Sequence, residues 1–531
     1  MTNPIADIEK AEVILVTGSN TTENHPVISS YIKRAVKFNK AKLLIIDPRR
    51  IKLTRFAEKW LRPLPGTNVA WINGLIHVII KENLHDKDFI KERTRDFEKL
   101  EKTVEKYTPE YVESITGISA DDLIEAAKLY AKADPASILY CMGITQHTSG
   151  TDNVKNLANL AMLCGNLGKQ GGGVNPLRGQ NNVQGACDMG GLPDVFTGYQ
   201  KVNDDALRAK MEKAWNVKGL SENPGMALTE MIPAAGTKEI KALYIIGENP
   251  LISDPDTRHV EKSLKSLDFL VVQDIFMTLT ASMADVVLPS TCFAEKDGTF
   301  SNTERKVQRV RKAVEAPGLA LGDWEIIARI SRKMGYPMEY KNSREIMDEI
   351  ASVTPSYGGI TYERLENKGL QWPCPAIDHP GTPILHKEVF TCGKGVFHGL
   401  EYRPSTESVS KEYPLLLTTG RVLYHYHTGT MTMKTQGLNE RSPGCFIEIS
   451  PEDADKYNVK NGDKAQLTSK RGMIEAKVKL SARAVKGTLF IPFHFAESAA
   501  NVLTSTELDP ISKIPELKVC AVKLTPAANQ T

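Results

Sequence analysis

Through its first three hundred residues the chain alternates short, β-branched apolar runs with longer stretches whose apolar positions recur at helical spacing. Val13-Ile-Leu-Val-Thr17, closed by Gly18, and Lys42-Leu-Leu-Ile-Ile-Asp47 read as buried strands. Between them Val27, Ile28, Tyr31, Ile32 and Val36 mark one face of a helix over 25–40. Strand, helix and strand of this length make a parallel βαβ unit with a right-handed crossover, and ligands of such sheets sit at the carboxyl ends of the strands. Gly18-Ser-Asn-Thr21 and Asp47-Pro-Arg49 occupy those ends. A loop, Leu64-Pro-Gly-Thr-Asn68, precedes a helix over 69–81, and residues 86–107 form a charged, solvated helical face. Ser119 caps a helix over 120–133. Ser137-Ile-Leu-Tyr-Cys-Met142 is a further buried strand, and an amphipathic helix follows over 153–163.

The same grammar returns later. Lys241-Ala-Leu-Tyr-Ile-Ile246 is a strand that ends in Gly247-Glu-Asn-Pro-Leu-Ile-Ser253. A helix follows, then the strand Asp268-Phe-Leu-Val-Val-Gln-Asp274, then Ala284-Asp-Val-Val-Leu-Pro-Ser290. In both places an apolar strand ends in Gly-x-Asn and its neighbour ends in a carboxylate, so two nucleotide-type α/β units are expected. Glu295-Lys-Asp-Gly-Thr-Phe-Ser-Asn-Thr303 reads as a tight Asp-Gly hairpin. From about 353 to 410 the periodicity fades and Pro, Gly and aromatic residues enter, as in Gln371-Trp-Pro-Cys-Pro, which reads as a long, partly ordered connection. Five short strands then follow, at 413–419, 445–449, 464–469, 473–480 and 488–491, with Asn461-Gly-Asp463 and Arg471-Gly472 as turns. They predict a small β-barrel. The expected organisation is a first α/β domain over 1–180, a second over 181–352, a connection over 353–410 and a barrel domain over 411–531.

A chain of 531 residues exceeds one ordinary core, in keeping with several domains. Its 41% hydrophobic and 25% charged residues are those of a soluble globular protein, and a net charge of +3 with interspersed signs argues against nucleic acid. No apolar run is long enough to span a bilayer and no signal peptide opens the chain, so a cytoplasmic setting is expected. Cys141, Cys164, Cys187, Cys292, Cys374, Cys392, Cys445 and Cys520 are scattered with no C-x-x-C pair, a spacing that suits reduced thiols rather than disulfides or an iron–sulfur cluster.

The chemistry concentrates in GNLGKQGGGVNPLRGQNNVQGACDMGGLPD, from Gly165 to Asp194. Glycine lets backbone N–H groups approach a ligand, Asn and Gln read donors and acceptors, and Arg178 offers a planar charged fork for a carboxylate or phosphate. The run Arg178-Gly-Gln-Asn-Asn-Val-Gln-Gly-Ala-Cys-Asp-Met-Gly190 closely resembles the loop of molybdenum- or tungsten-dependent formate dehydrogenases, within the molybdopterin oxidoreductases. The resemblance runs from Ile5 to about Val522.

That resemblance implies bis-molybdopterin guanine dinucleotide with molybdenum or tungsten, and formate oxidised to CO2 or the reverse. Arg178 would clamp formate, oriented by Gln180 and Asn181. Asp47-Pro-Arg49 has two readings on residues alone, a turn with a surface ion pair or a carboxylate gripping a guanine or ribose edge; the resemblance selects the second. Gly18, Asn20, Asp47, Arg49, Gly66 and Asn68 would then hold one dinucleotide, and Gly247, Asn249, Ser253, Gln273 and Asp274 the other. Gly420 and Arg421, followed by Tyr424-His-Tyr-His-Thr-Gly429, resemble the family's cap over the pterins, with His494, Asn501 and Lys518 as further contacts. Leu517 departs from the aromatic residue that some members carry there. His425 and His427 lie one residue apart on an extended segment, but no third ligand stands nearby, so no metal site is assigned from side chains. His147 has two readings, a ligand or proton carrier, or the commoner one for a lone His in a strand-end loop, a hydrogen-bonding residue.

In the resembled family an iron–sulfur domain and the loop bearing the metal's Cys or selenocysteine ligand precede the point matched by Met1. A [4Fe-4S] cluster is therefore expected only there, on an N-terminal segment or subunit that works with an electron-transfer partner. This polypeptide alone is expected not to turn over formate. Three readings stand: a start downstream of a selenocysteine codon, a split subunit, or a cofactor-free structural relative, and the intact Arg178 loop argues against the last. Among enzymes the alternative is another two-pterin oxidoreductase such as nitrate reductase.

Overall fold

The computed structural model describes residues 1–527, which divide into two compact units. One comprises Met1–Gly179, Ile252–Thr257 and Ile384–Thr531; the other comprises Gln180–Leu251 and Arg258–Pro383. The division falls inside the glycine-rich loop, directly after Arg178 and Gly179. The barrel groups with the first α/β layer, and the stretch 353–410 is shared between the units.

The first unit is built on five parallel strands in the order Lys59–Leu61, Lys42–Ile46, Val13–Thr17, Ala136–Tyr140 and Val174–Pro176. Every residue of Val13–Thr17 and Ala136–Tyr140 is buried, because helices cover both faces. Leu15, Leu44 and Ile138 pack on one side against the helices Asn68–Lys81, Ala120–Ala131 and Gly150–Leu163. Ile14, Val16, Leu43 and Ile45 pack on the other against Ile28 and Ile32 of Pro26–Phe38. Residues 69–80 are buried all round, so Asn68–Lys81 is an interior helix rather than a surface one. Ser119 Oγ accepts from the Asp122 N–H at 3.2 Å, the cap expected from the sequence.

The barrel of this unit is closed by six strands in the order Leu415–Gly420, Thr488–Pro492, Phe446–Ile449, Met473–Leu480, Lys464–Thr468 and Cys520–Pro526. The last of these, absent from the sequence reading, pairs antiparallel with both Leu415–Gly420 and Lys464–Thr468 and completes the ring.

The second unit carries three parallel strands, Ala242–Ile246, Phe269–Asp274 and Val286–Pro289, in that order. Asp297-Gly298 is not its hairpin turn. Gly298–Ser301 is already strand, paired antiparallel with Lys306–Val310, and the chain reverses at Asn302 to Arg305, where Arg305 takes φ +65°. The stretch after Val353 is more ordered than its lack of periodicity predicts. Tyr357, Ile360, Tyr362, Leu365, Leu370 and Cys374 form an apolar cluster with Val307 and Met347. Bulky residues spaced irregularly along turns and short helices built that core, and a period search cannot find them. No helix among the described residues is long and apolar enough to cross a membrane.

Candidate functional site

In the first unit the strand order reverses between Val13–Thr17 and Ala136–Tyr140, so the crevice beyond their carboxyl ends is the topological switch point where open α/β sheets take ligands. Two glycines let the chains touch there. The Gly143 N–H donates to the Gly18 carbonyl at 3.0 Å, and a Cβ on Gly18 would lie 2.7 Å from the Gly143 carbonyl carbon.

The segment just past Gly18 is unusually rich in unsatisfied polar atoms. Ser19 Oγ, both amide atoms of Asn20, Thr21 Oγ1, Asn24 Oδ1 and His25 Nδ1 are buried with no partner among the described residues. His147 Nδ1 is another. His147 Nε2 lies 2.9 Å from the Gly143 carbonyl and so carries the proton, which leaves Nδ1 as a bare acceptor; burial depresses this histidine to about 4 and keeps it neutral. Each such atom costs about 1–3 kcal/mol if nothing meets it. The cluster therefore calls for a polar ligand.

Arg178 enters this region on a backbone gripped at three successive carbonyls. The Cys141 thiol donates to Leu177 O at 3.0 Å, His25 Nε2 lies 2.7 Å from Arg178 O, and Arg421 Nη1 donates to Gly179 O at 3.2 Å. The three holding side chains come from different parts of the unit, so the loop's path is fixed independently of Arg178's own side chain. Arg421, Lys518 and Arg178 all act on the Cys141 thiol, which burial pushes up and these cations pull back. Lys518 Nζ donates to Thr419 O at 2.8 Å; burial, and then Arg421, lower its amine to about 8. The buried carboxylate nearby is Asp47, raised to about 6 by its burial despite the Arg49 N–H at 2.9 Å. Cations outnumber carboxylates in this region, which suits an anionic ligand.

Other residues singled out in the sequence lie elsewhere or are already engaged. The Arg49 guanidinium is taken by Glu448 of the barrel. Gly66, at φ +87°, faces Val519 and Ser405, and Asn68 Oδ1 accepts from the Trp71 indole at 3.2 Å. A Cβ on Gly420 would meet the Phe490 ring at 2.4 Å. Residues 424–429 form turns rather than the extended segment expected, with His427 at φ +47°. His425 is held between Thr432 and Ser442, whereas His494 accepts from the Val422 N–H at 2.9 Å and turns its other nitrogen to His427 O. His427 and His494 are both depressed to about 4 by burial, with Arg421 adding to it. Asn501 donates to the carbonyls of Ile252 and Ser253 at 2.9 and 2.8 Å, so Ser253 belongs with the barrel's unit. The Ser253 hydroxyl itself donates to Asp254.

At the carboxyl ends of the second unit's sheet, Gly247 takes φ +63° and its N–H donates to Gln273 O at 2.8 Å. Gln273 donates to Asp323 at 2.7 Å, Asn249 Oδ1 accepts from Thr280 Oγ1 at 2.7 Å, and Asp274, raised by burial, accepts from the Ile275 and Phe276 N–H groups. The unit's densest polar hub was not foreseen. Asp188, fully buried, accepts from Gln184, Tyr199, Tyr357 and Trp372 at 2.8, 2.9, 2.6 and 2.7 Å. Gln180, Asn181 and the helix Val183–Asp188 lie in this unit, and the hub anchors that helix by its last residue. The sequence signal was a lone Asp amid Gly and Ala, which says nothing of four donors from distant positions.

Comparison with known proteins agrees with this geometry. Residues 1–333 match the family Molybdopterin oxidoreductase and residues 415–521 the Molydopterin dinucleotide binding domain. The F420-dependent formate dehydrogenase subunit alpha of Methanocaldococcus jannaschii is 56% identical over 528 residues, 99% of this chain and 78% of that protein. Formate dehydrogenase H of Escherichia coli is 42% identical over 537 residues, covering 100% of this chain and 75% of its own. Among solved structures, acetylene hydratase from Pelobacter acetylenicus shares the fold with a TM-score of 0.77 at 21% identity, covering 98% of this chain and 81% of that one. With a doubly wound sheet, a barrel and matches spanning its length, the chain belongs to the molybdopterin oxidoreductase family.

Proposed function

We propose that this chain is the catalytic subunit of a formate dehydrogenase, oxidising HCOO⁻ to CO2 with release of one proton and two electrons. The observation that carries the reading is Arg178, delivered to the switch point on a backbone held at three carbonyls, beside a surplus of half-buried cations. The names of the relatives at 56% and 42% identity support formate as substrate.

The unpartnered atoms of Ser19, Asn20, Thr21, Asn24, His25 and His147 fit a polar, heteroaromatic dinucleotide, and Arg421 and Lys518 fit its anionic portions. When bound, a bis-molybdopterin guanine dinucleotide with molybdenum or tungsten supplies the two-electron acceptor that no side chain provides. Gly18 and Gly143 let backbone approach it, Asn20 pairs with its polar edge, and Asp47 accepts from guanine or ribose. Arg49 contributes through its N–H on Asp47, since its fork is engaged. Gly247, Asn249, Gln273 and Asp274 form the corresponding strand ends of the second unit. Gly420, Arg421, His425, His427, Asn501 and Lys518 support the cofactor from the barrel.

Arg178 orients formate by pairing both carboxylate oxygens, so that part of the entropic cost of the reacting geometry is met in binding. Neutral His147, His427 and His494 hold the surroundings free of further titrating charge near pH 7. A [4Fe-4S] cluster on polypeptide outside this chain would carry electrons onward to a partner in the cytoplasm.

The test is steady-state kinetics of the assembled enzyme with a viologen acceptor. Arg178→Lys keeps the charge but loses the fork, and a large rise in KM for formate is expected. Unchanged formate kinetics would remove the clamp. Nitrate-dependent oxidation of reduced viologen, with none driven by formate, would overturn the substrate.

A further inference from the structure

The strand Val174–Pro176 brings the chain to Arg178, and its pairing with Ala136–Tyr140 can be followed bond by bond. The Ile138 N–H donates to Gly173 O at 2.9 Å, and at the far end the Leu177 N–H donates to Tyr140 O at 2.8 Å. Bonds are evenly spaced along a parallel pair, so the next donor, to Leu177 O, would be the Met142 N–H. The chain turns away before that bond forms. Met142 opens the helix Met142–Thr145, and the Gly143 N–H goes to Gly18 O, where the two glycines touch. Closing the switch point therefore removes the ladder's last rung.

The Cys141 side chain takes its place. Its thiol donates to Leu177 O at 3.0 Å. Both polar atoms of the Leu177 backbone are thus met by consecutive residues, Tyr140 and Cys141, and Leu177 is 2% exposed, where an unmet carbonyl is costly. Burial also pushes the thiol above its ordinary range and so keeps the proton that a donor needs. The Leu177 carbonyl belongs to the peptide that enters Arg178, whereas the carbonyl held by His25 belongs to the peptide that leaves it. Side chains therefore hold both peptides that flank the Arg178 Cα, and together they limit its φ and ψ.

We infer that Cys141 is a positioning residue for the clamp: its thiol replaces the missing rung and carries the sheet's register one peptide further, so that the Arg178 fork leaves the strand end in a fixed direction. The role presupposes that Arg178 binds formate, as proposed above. Formate meets the fork both before and during the reaction, so a misdirected fork weakens binding without slowing the bound complex.

Peptide-level hydrogen exchange on this chain as it stands, and formate kinetics of the assembled enzyme, test this with the same variants. Cys141→Ala should speed exchange of the amides of residues 177–179 and raise KM for formate about fivefold, with kcat and melting temperature near the parent's. Cys141→Ser restores a hydroxyl donor and should return both readings to the parent's. Cys141→Val fills the apolar surroundings, which include Leu139 and Leu177, without a donor and should behave as alanine does. Cys392→Ala, which removes an exposed thiol bonded to Lys394 O, is the reference and should move neither reading. Unchanged exchange and KM in Cys141→Ala overturn the role. So does a Cys141→Ser variant no better than alanine, or the same shift in Cys392→Ala. The exchange reading stands apart from the substrate. If Arg178→Lys leaves formate kinetics untouched, the clamp falls, while faster exchange in Cys141→Ala, reversed by serine, would still show that the thiol holds the loop.

Discussion

Arg49 and Glu448 form a two-pronged ion pair, Nε to Oε1 and Nη2 to Oε2 both at 2.7 Å, that joins the first sheet to the barrel. The Glu448 side chain is fully buried, and the Arg49 guanidinium lies 3.6 Å from the Phe490 ring centroid. Arg49 is also two residues from Asp47, whose Oδ1 its N–H holds. One residue thus fixes a site carboxylate through its backbone and the barrel through its side chain. Removing one partner leaves a buried charge unpaired, so Arg49→Ala or Glu448→Ala should each cost about 3–5 kcal/mol. The double change Arg49→Met with Glu448→Leu should cost much less than the two single losses together. Thermal unfolding followed by proteolytic susceptibility of the barrel would measure both; additive losses would show that the pair is not coupled.

Much of this arrangement was legible in the sequence, and the parts that were not share a cause. Strands such as Val13–Thr17 and Phe269–Asp274 announce themselves by unbroken β-branched runs, and the ends of those strands locate candidate ligand groups by topology alone. Arg178 stands out because it is the one arginine in a long run of small and amide residues. Partnerships across hundreds of residues leave no such mark. Asp47-Pro-Arg49 reads the same whether its arginine meets a phosphate or Glu448, and the four donors on Asp188 come from positions as distant as Trp372. Partial burial hides likewise: Lys518 is an ordinary lysine in the sequence, and only the fold lowers its amine by burial and draws it against Thr419.

A side chain at Gly179 should displace the Arg421 guanidinium. A Cβ there would stand 2.8 Å from both terminal nitrogens of Arg421, the residue that holds the Gly179 carbonyl. Gly179→Ala must push the guanidinium aside and free that carbonyl, so the loss should fall on substrate use more than on folding. We expect a rise in formate KM with a melting temperature close to the parent's, and Gly179→Ala combined with Arg421→Lys should recover little because the fork is gone. A variant with normal KM would mean that Arg421 does not set the position of Arg178.

Asp188→Asn tests the hub of the second unit. An amide keeps one acceptor oxygen but turns an NH2 toward the other pair, Tyr357 and Trp372 or Gln184 and Tyr199; the tyrosine hydroxyl of that pair can turn to accept, whereas the Trp372 indole or the Gln184 amide N–H cannot. Stranding that one buried donor should cost about 1–3 kcal/mol. Near-ultraviolet dichroism and Trp372 emission would register the loosened packing, and the helix Val183–Asp188 should lose amide protection before the remainder of its unit. Protection unchanged in that helix would show it is held by other contacts.

Asp47 and Lys518 together predict a pH profile that loading should invert. Burial raises Asp47 to about 6, so its contribution to stability is complete below its ordinary 3.8 and lost as the pH rises through 6. Burial lowers Lys518 from 10.5 to about 8, so its contribution is complete above 10.5 and lost as the pH falls through 8. Between pH 6 and 8 both groups are charged in the folded chain, and each shift of about two pH units or slightly more corresponds to about 3 kcal/mol. The unloaded chain should therefore gain stability at pH 7 from Lys518→Met, by up to about 3 kcal/mol less what the bond to Thr419 contributes. The gain should shrink as the pH approaches 10. A phosphate against Lys518 and ligand N–H groups on Asp47 would favour the charged forms, so the loaded protein should be most stable where the unloaded one is penalised. Melting temperatures from pH 4 to 10, with guanosine released on denaturation as the measure of loading, separate the two states. Lys518→Met should melt higher when unloaded yet retain less guanosine; a variant that melts higher and loads fully would remove Lys518 from the cofactor's contacts.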